Sequence, residues 1–176
     1  MEPDRTEFER LVQEHGPGLF SFLLHRLGRR ADAEDAYAEV VMKAWEGWGT
    51  YQERGRAQAW LFTIAHRRAL DRAAYDARRR TVPLEADAQG LSALDRAPSP
   101  EPGPERQAEG GYARERIARA LAELPPEQRD VFLMREYGGL SFSEVAAALG
   151  CPLSTALARM RYAVIKLRER LGDLDA

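Results

Sequence analysis

The chain has 176 residues, of which 44% are hydrophobic and 9% aromatic, which suits one or two small helical domains with modest cores. Its formal net charge is only −2, because 26 lysines and arginines nearly balance 28 acidic residues, so total charge alone indicates no nucleic-acid partner. The single cysteine excludes an internal disulfide and a cysteine-rich metal site. Because the sequence has neither an apolar signal core nor a run of roughly 20 apolar residues, we expect a soluble, cytoplasmic protein.

Two amphipathic helices are predicted at the start of the chain. Between Phe8 and Leu27 apolar residues recur at three- and four-residue steps, and a Gly-Pro-Gly stretch centred on Pro17 predicts a break in that helix. Asp32 is expected to be the N-cap of the second helix, because its carboxylate can accept hydrogen bonds from free backbone N–H groups. From there one apolar stripe extends to Trp45.

The third predicted helix and the segment after it are opposite in charge. A polar loop over residues 47–57 leads to a helix in which six arginines stand against two aspartates between residues 62 and 80. Residues 81–112 carry six acidic residues against two arginines and are rich in proline and glycine. Proline cannot continue a helix, and few large apolar residues are present to offset the ordering entropy. We therefore expect a flexible linker over residues 83–112, between domains at residues 1–82 and 113–176.

The C-terminal domain is predicted to end in a helix-turn-helix. After two helices, Ser141 and Glu144 form a capping box for a short third helix, and Gly150 permits the turn into a fourth. Ala146 and Ala156 are small enough for the last two helices to approach each other. Five basic residues stand against one acidic residue over 153–170. The turn and the basic face together favour DNA binding over the alternative, an antiparallel bundle with a solvated basic face.

The last helix would offer the side chains of its first turns to the major groove. Backbone N–H groups at its start, with the helix dipole, also favour a phosphate. The residues assigned to DNA here are Ser154, Thr155, Leu157, Ala158, Arg159, Arg161 and Tyr162.

No catalytic or metal-binding pattern is found in the sequence. The three histidines lack ligand spacing, and no nucleophile–base pair, phosphate loop or carboxylate dyad is present. Cys151 lies in the predicted turn with no second cysteine, so we expect an inert small side chain. These observations indicate a protein that is not an enzyme and needs no cofactor.

Several of these segments resemble the extracytoplasmic-function sigma factors of bacterial RNA polymerase. Residues 33–45 (AEDAYAEVVMKAW) are similar to the family's polymerase-binding helix, and residues 59–65 (AWLFTIA) to its minus-ten recognition helix. Residues 124–129 (LPPEQR) and 144–152 (EVAAALGCP) are similar to its minus-thirty-five domain. The motifs follow the family's order over nearly all of residues 7–171 except the linker. The resemblance implies an all-α alternative sigma factor of two small domains that directs polymerase to promoters.

The resemblance also implies contacts for the first domain. Charge for polymerase binding would come from Glu34, Asp35 and Glu39, and apolar contact from Val41 and Met42; for Trp45 a core position is the expected alternative. An opened promoter strand needs an apolar pocket for an unstacked base. Tyr51 and, second, Phe62 would form its walls, while Trp60 is expected in the core. The remaining minus-ten residues are Arg67, Arg68 and Arg72, which would hold phosphates, and Asp71 of the same motif.

Three positions depart from the family pattern. Ala38 stands where the family has glutamine, Arg67 where it has asparagine, and Leu157 where it has a basic residue. Leu157 would therefore contact a thymine methyl group or a protein. The alternatives are a sigma mimic that sequesters an anti-sigma factor without binding promoters, and a helix-turn-helix repressor, which leaves the resemblance of residues 33–45 unexplained. The expected partners are core RNA polymerase, promoter DNA and an anti-sigma factor, without membrane insertion.

Overall fold

The computed structural model describes residues 4–52, 55–79 and 104–172, with the side chains of the last segment described from Gly111 onwards. Seven helices and no strand form over these ranges, which confirms the all-α prediction. They are α1 (Arg5–Leu27), α2 (Arg30–Trp48), α3 (Ala57–Arg79), α4 (Pro104–Glu123), α5 (Pro126–Glu136), α6 (Phe142–Leu149) and α7 (Leu153–Leu171). Helices α1–α3 are called the N-terminal bundle and α4–α7 the C-terminal bundle. None of the described helices combines the length and apolarity that crossing a bilayer requires.

Helix α1 is continuous, so the predicted break around Pro17 is wrong. Pro17 lies on the exposed side of the helix, where the missing backbone donor and the ring face solvent. The flanking glycines allow close packing: a Cβ on Gly16 would lie 2.6 Å from the Tyr37 hydroxyl, and a Cβ on Gly18 would collide with the Tyr137 carbonyl. Tertiary contacts on both flanks therefore hold a helix that the local sequence disfavours.

Helix α2 begins before Asp32, so the prediction of Asp32 as its N-cap is wrong. The N-cap is Arg29, whose side chain makes no capping hydrogen bond. Asp32 instead lies in the first turn, is buried, and accepts a hydrogen bond of 2.5 Å from Arg72 of α3. A carboxylate near a helix N-terminus is favoured by the helix dipole, and here it also ties α2 to α3.

Helix α4 begins at Pro104, so the last nine residues of the predicted linker, 104–112, are helical. Proline is favourable at the first helical position, where its absent N–H is not needed and its fixed φ already suits a helix. The glycine pair at 110–111 costs about 1 kcal/mol per residue relative to alanine, which is too little to stop the helix. Residues 83–103 of the predicted linker lie outside the described part of the chain.

The helix-turn-helix of the C-terminal bundle confirms the local predictions. Ser141 and Glu144 form the capping box of α6, each side chain bonding to the other's backbone N–H. Gly150 adopts a left-handed conformation with φ 63° and leads into α7. Ala146 and Ala156 are both buried between the helices.

The two bundles pack against each other and share a single cluster of buried apolar residues. Helix α3 packs on α6, and α1 packs on α4 and α5. At this junction Arg26 of α1 forms an ion pair with Asp130 of α5, at 2.7 Å from Nε to Oδ1. The chain is therefore folded back on itself, with the N-terminal and C-terminal bundles in direct contact.

Candidate nucleic-acid and protein interfaces

The outer face of α2 combines acidic and large apolar side chains. Glu34, Asp35 and Met42 are exposed, Met42 by 62%. Glu34 is also tied to Arg30 one turn away, at 2.8 Å from Oε1 to Nε. The face is thus open to a protein partner over about two turns of helix.

The other members of this predicted set lie closer to the core. Glu39 and Val41 are half-buried, and Glu39 accepts a hydrogen bond of 2.6 Å from Arg68 of α3. Trp45 remains 38% exposed although its ring lies 5.2 Å from that of Phe8, so the expectation of a core position for Trp45 is wrong. Its exposed edge extends the apolar part of the α2 face beyond Met42.

Three aromatic rings, those of Trp48, Tyr51 and Trp60, form a cluster where the loop after α2 meets the start of α3. The Tyr51 ring lies parallel to that of Trp48, with centroids 5.6 Å apart, and 4.8 Å from that of Trp60. Tyr51 and Trp60 form one wall of an open cavity of about 670 Å³. The opposite wall comes from α6 and its cap, through Ser143 and Ala147 among others. Tyr51 therefore lines a pocket, but in this conformation the pocket lies between the two bundles.

Phe62 is not part of that pocket. It is 0% exposed and packs edge-on against Phe22 of α1, with ring centroids 5.8 Å apart. Its prediction as a second pocket wall is therefore wrong, whereas Trp60 is half-buried and packs against the core cluster while it also lines the cavity. The helical positions explain both: α3 turns Leu61, Phe62 and Ala65 inward, which directs Trp60 to the cavity side.

Two of the three arginines assigned to phosphates bind carboxylates of α2. Arg68 pairs with Glu39, and Arg72 pairs with Asp32 and, at 3.6 Å, with Asp76 on its own helix. Arg67 is exposed. These ion pairs hold α3 against α2, a structural role that was not predicted for Arg68 or Arg72.

A shallow cleft of about 440 Å³ follows these arginines along α3. Its lining includes Asp71, which is exposed, and Tyr75, whose ring lies 5.9 Å from the Arg72 guanidinium. The cleft thus brings Asp71 next to Arg68 and Arg72.

The outer face of α7 carries most of the residues predicted to contact the major groove. Ser154, Leu157, Ala158, Arg161 and Tyr162 are exposed, whereas Thr155 and Arg159 are half-buried. The N-cap is Pro152, whose side chain makes no capping hydrogen bond, so the first backbone N–H groups of α7 are not capped by it. An exposed, partly basic face beginning at such a helix end suits phosphate and base-edge contacts together.

A buried charged cluster that the sequence analysis missed lies at the junction of the bundles. Asp130 sits between Arg26 and the His66 imidazole, whose Nδ1 is 3.5 Å from Asp130 Oδ2. Burial raises the pKa of Asp130 to about 6, an effect that Arg26 opposes. Burial, with Arg26 and Arg67, lowers the pKa of His66 to about 4, so this imidazole is neutral at pH 7. In the sequence this cluster is indicated only by Asp130, a lone aspartate directly before the apolar residues of α5.

Two family descriptions match the chain: Sigma-70 region 2 over residues 11–80 and Sigma-70 region 4 over residues 114–167. The ECF RNA polymerase sigma factor SigL of Mycobacterium tuberculosis is 33% identical over 165 residues, which cover 93% of this chain and 88% of SigL. The ECF RNA polymerase sigma factor RpoE of Cereibacter sphaeroides is 29% identical, covering 96% of this chain and 88% of RpoE.

Solved structures that share the fold include two complexes. The sigma factor RpoE in complex with the anti-sigma factor NepR from Bartonella quintana matches with a TM-score of 0.74 at 23% identity, over 95% of this chain and 98% of that one. CnrH in complex with the cytosolic domain of CnrY matches with a TM-score of 0.66 at 24% identity, over 98% of this chain and 92% of that one.

Proposed function

Because the chain belongs to the extracytoplasmic-function class of sigma-70 factors, we propose that a different exposed surface of the chain serves each step of promoter-specific initiation. The chain is an alternative sigma factor that recognises promoters, with region 2 in the N-terminal bundle and region 4 in the C-terminal bundle. It works with core RNA polymerase in the cytoplasm and performs no catalysis of its own, since phosphodiester synthesis belongs to the polymerase. No finding favours the sigma-mimic alternative.

The α2 face is the proposed polymerase-binding surface. The observation that carries this assignment is Met42, a large apolar side chain that is 62% exposed on a helix with carboxylates beside it. Burial of an exposed apolar side chain against a partner is favourable in free energy. Glu34 and Asp35 add negative charge that orients a basic partner. Glu39 contributes less directly, because its carboxylate already holds Arg68.

The aromatic cluster of Trp48, Tyr51 and Trp60 is the proposed site for an unstacked base of the minus-ten element. Tyr51 and Trp60 present ring surface to a cavity of about 670 Å³, which is large enough for a nucleobase. Arg67, exposed on the next turns of α3, is placed to contact the strand backbone. Arg68 and Arg72 act mainly by holding α3 against α2.

Replacing Tyr51 with alanine is expected to slow promoter opening about tenfold or more while changing closed-complex affinity less than twofold. Base–aromatic stacking contributes about 1–3 kcal/mol per base, and only the opened strand offers an unstacked base. Permanganate footprinting and gel-shift titration measure the two steps separately. Tyr112→Ala, an exposed tyrosine on α4, is the matched control and should change neither. Equal loss in both steps would argue against a base pocket.

Helix α7 is the proposed reader of the minus-thirty-five element. Replacing Arg161 with alanine should weaken binding to the minus-thirty-five duplex and reduce the slope of log K against log salt by about 1, the value for one lost phosphate contact. The control is Arg170→Ala, since Arg170 pairs with Glu123 at 2.8 Å near the end of the helix. Titrations by fluorescence anisotropy at several salt concentrations measure both slopes, and an unchanged slope for Arg161→Ala would remove it from the interface.

An anti-sigma factor is a further proposed partner. Both solved structures described above are complexes, one of the sigma factor RpoE with the anti-sigma factor NepR and one of CnrH with the cytosolic domain of CnrY. In this chain Leu157, Tyr162 and Ile165 leave apolar surface exposed on α7. Such a surface suits a protein partner that competes with DNA.

Initiation with purified components tests the proposed function as a whole. The full chain is mixed with core polymerase and the DNA upstream of its own gene, and run-off transcripts are measured. Specific transcripts that are lost with Met42→Lys, while region 4 still binds its duplex, are the expected result. Failure to bind core polymerase would overturn the proposal, and binding to an anti-sigma protein alone would favour a sigma mimic.

A further inference from the structure

The first turns of α7 expose more apolar surface than hydrogen-bonding groups. Over residues 153–161 the exposed side chains are Leu153, Ser154, Leu157, Ala158 and Arg161, and the two leucines are 46% and 45% exposed. Adenine is usually read by asparagine or glutamine and cytosine by an acidic side chain, and α7 has none of these residues over 153–168. Hydrogen bonds from this part of α7 can therefore distinguish few bases.

Leu157 lies between the two exposed residues of these turns that can hydrogen-bond. It follows Ser154 by three residues and precedes Arg161 by four, so all three side chains are neighbours on one side of the helix. A duplex that contacts both Ser154 and Arg161 must therefore also cover Leu157. An apolar side chain cannot hold a phosphate there, so its effect on binding depends on the base edge that it meets.

Only one group at the base edges of the major groove is apolar, and that is the C5-methyl group of thymine. Guanine, adenine and cytosine present hydrogen-bonding atoms there, and covering such an atom with leucine would remove its water without supplying a partner. Contact between leucine and the thymine methyl group buries apolar surface on both sides, which is favourable. A leucine at this position thus discriminates in favour of thymine.

The surroundings of Leu157 suit duplex DNA. Residues 153–168 include four basic side chains and no acidic one: Arg159, Arg161, Lys166 and Arg168. The side chain of the N-cap residue makes no hydrogen bond to the start of α7, where the helix dipole also favours an anion. The major groove places thymine methyl groups between two rows of phosphates, so a single ligand matches both the apolar patch and its basic flanks.

We propose that Leu157, with Ala158 beside it, selects thymine in the minus-thirty-five element by contact with the C5-methyl group. This inference rests on the proposed role of α7 in reading that element, and it adds the base that is preferred and the atom that is recognised. Arg161 keeps its proposed phosphate contact and fixes the position of the helix, while the leucine supplies the discrimination between bases.

Replacing thymine with deoxyuridine tests the proposal, because the two bases differ only by the C5-methyl group and pair identically. The full chain first selects its preferred duplex from a library of randomised sequences. Each thymine of that duplex is then replaced singly by deoxyuridine, and affinity is measured by fluorescence anisotropy. At one thymine or more the affinity should fall about fourfold, the factor for burial of one methyl group. With Leu157→Ala the same replacement should change affinity less than twofold.

Leu70→Ala is the matched control. Leu70 is the same residue type with the same exposed fraction, 45%, but it lies on α3 in the N-terminal bundle. This variant should keep the parent ratio of thymine to deoxyuridine affinity. Arg161→Ala should weaken binding to the thymine and deoxyuridine duplexes alike and so keep that ratio as well.

Affinities that are the same for thymine and deoxyuridine at every position would overturn the proposal, and so would a difference that persists in Leu157→Ala. Either result would assign the exposed surface of Leu157 to a protein partner. If Arg161→Ala still weakened duplex binding, the proposed role of α7 would survive that result. If the library yielded no preferred duplex and Arg161→Ala had no effect, the role of α7 would fail together with the thymine contact.

Discussion

Phe62→Ala is expected to lower the free energy of unfolding by about 3–5 kcal/mol, the usual cost of removing a buried phenylalanine ring. The Phe62 ring is fully buried against Phe22, and it also approaches Gly138 of the other bundle. Its loss would leave a cavity that rigid helices on several sides cannot fill. Urea denaturation followed by far-UV circular dichroism measures the change.

Tyr75→Ala is the control for Phe62, because Tyr75 is an aromatic residue of the same helix that is largely exposed. It should cost no more than about 1 kcal/mol, since little packing is lost at an exposed site. If Phe62→Ala kept full stability and impaired only strand opening, Phe62 would act in strand opening and not in the core. The prediction that it forms a wall of the base pocket would then stand.

Arg72→Ala is expected to destabilise the N-terminal bundle by about 2–3 kcal/mol, because it leaves the buried Asp32 carboxylate with only the exposed Arg29 guanidinium, 3.9 Å away. Removing both charges in the Asp32→Ala, Arg72→Ala double variant should recover part of the loss, since no isolated buried charge remains. A double-mutant cycle on denaturation free energies measures this coupling.

Arg67→Ala is compared with Arg72→Ala to distinguish a residue that contacts DNA from one that stabilises the bundle. Arg67 is exposed on the same helix, so its removal should leave the free energy of unfolding within about 0.5 kcal/mol of the parent value. It should reduce the salt dependence of open-complex formation, whereas Arg72→Ala, measured under folded conditions, should not. If Arg72→Ala changed the salt dependence of open-complex formation more than Arg67→Ala does, Arg72 would be a phosphate contact after all.

Local signals in the sequence predicted the C-terminal helices well. The Ser141 capping box and the Gly150 turn depend on residues a few positions apart, and both are present as expected. The start of α2 and the course of α1 were mispredicted because distant partners decide them. Arg72 draws Asp32 into the helix, and close packing against Tyr37 and Tyr137 keeps α1 continuous across Pro17.

The candidate site was predictable as a set of segments but not as an arrangement. The resemblance to extracytoplasmic-function sigma factors is confirmed by the matches to regions 2 and 4, although the individual contact residues remain predictions. The full burial of Phe62 could not be foreseen, because Trp60 and Phe62 are both aromatic and only the packing of α1 on α3 selects the inner one. The Arg26–Asp130 pair joins residues too distant in sequence for any spacing rule to connect them.

Since Arg26 and Asp130 belong to one chain, their pairing is unimolecular and does not depend on protein concentration. Raising the amount of the sigma factor would add molecules with the bundles in contact, the closed form, and molecules with the bundles apart, the open form, in the same ratio. A ligand selective for the open form would bind with a dissociation constant multiplied by the reciprocal of the open fraction, so one open molecule in a hundred implies an affinity about 100-fold weaker. A ligand that binds only the open form would shift that ratio, whereas overproduction alone would leave the ratio unchanged and raise both populations together.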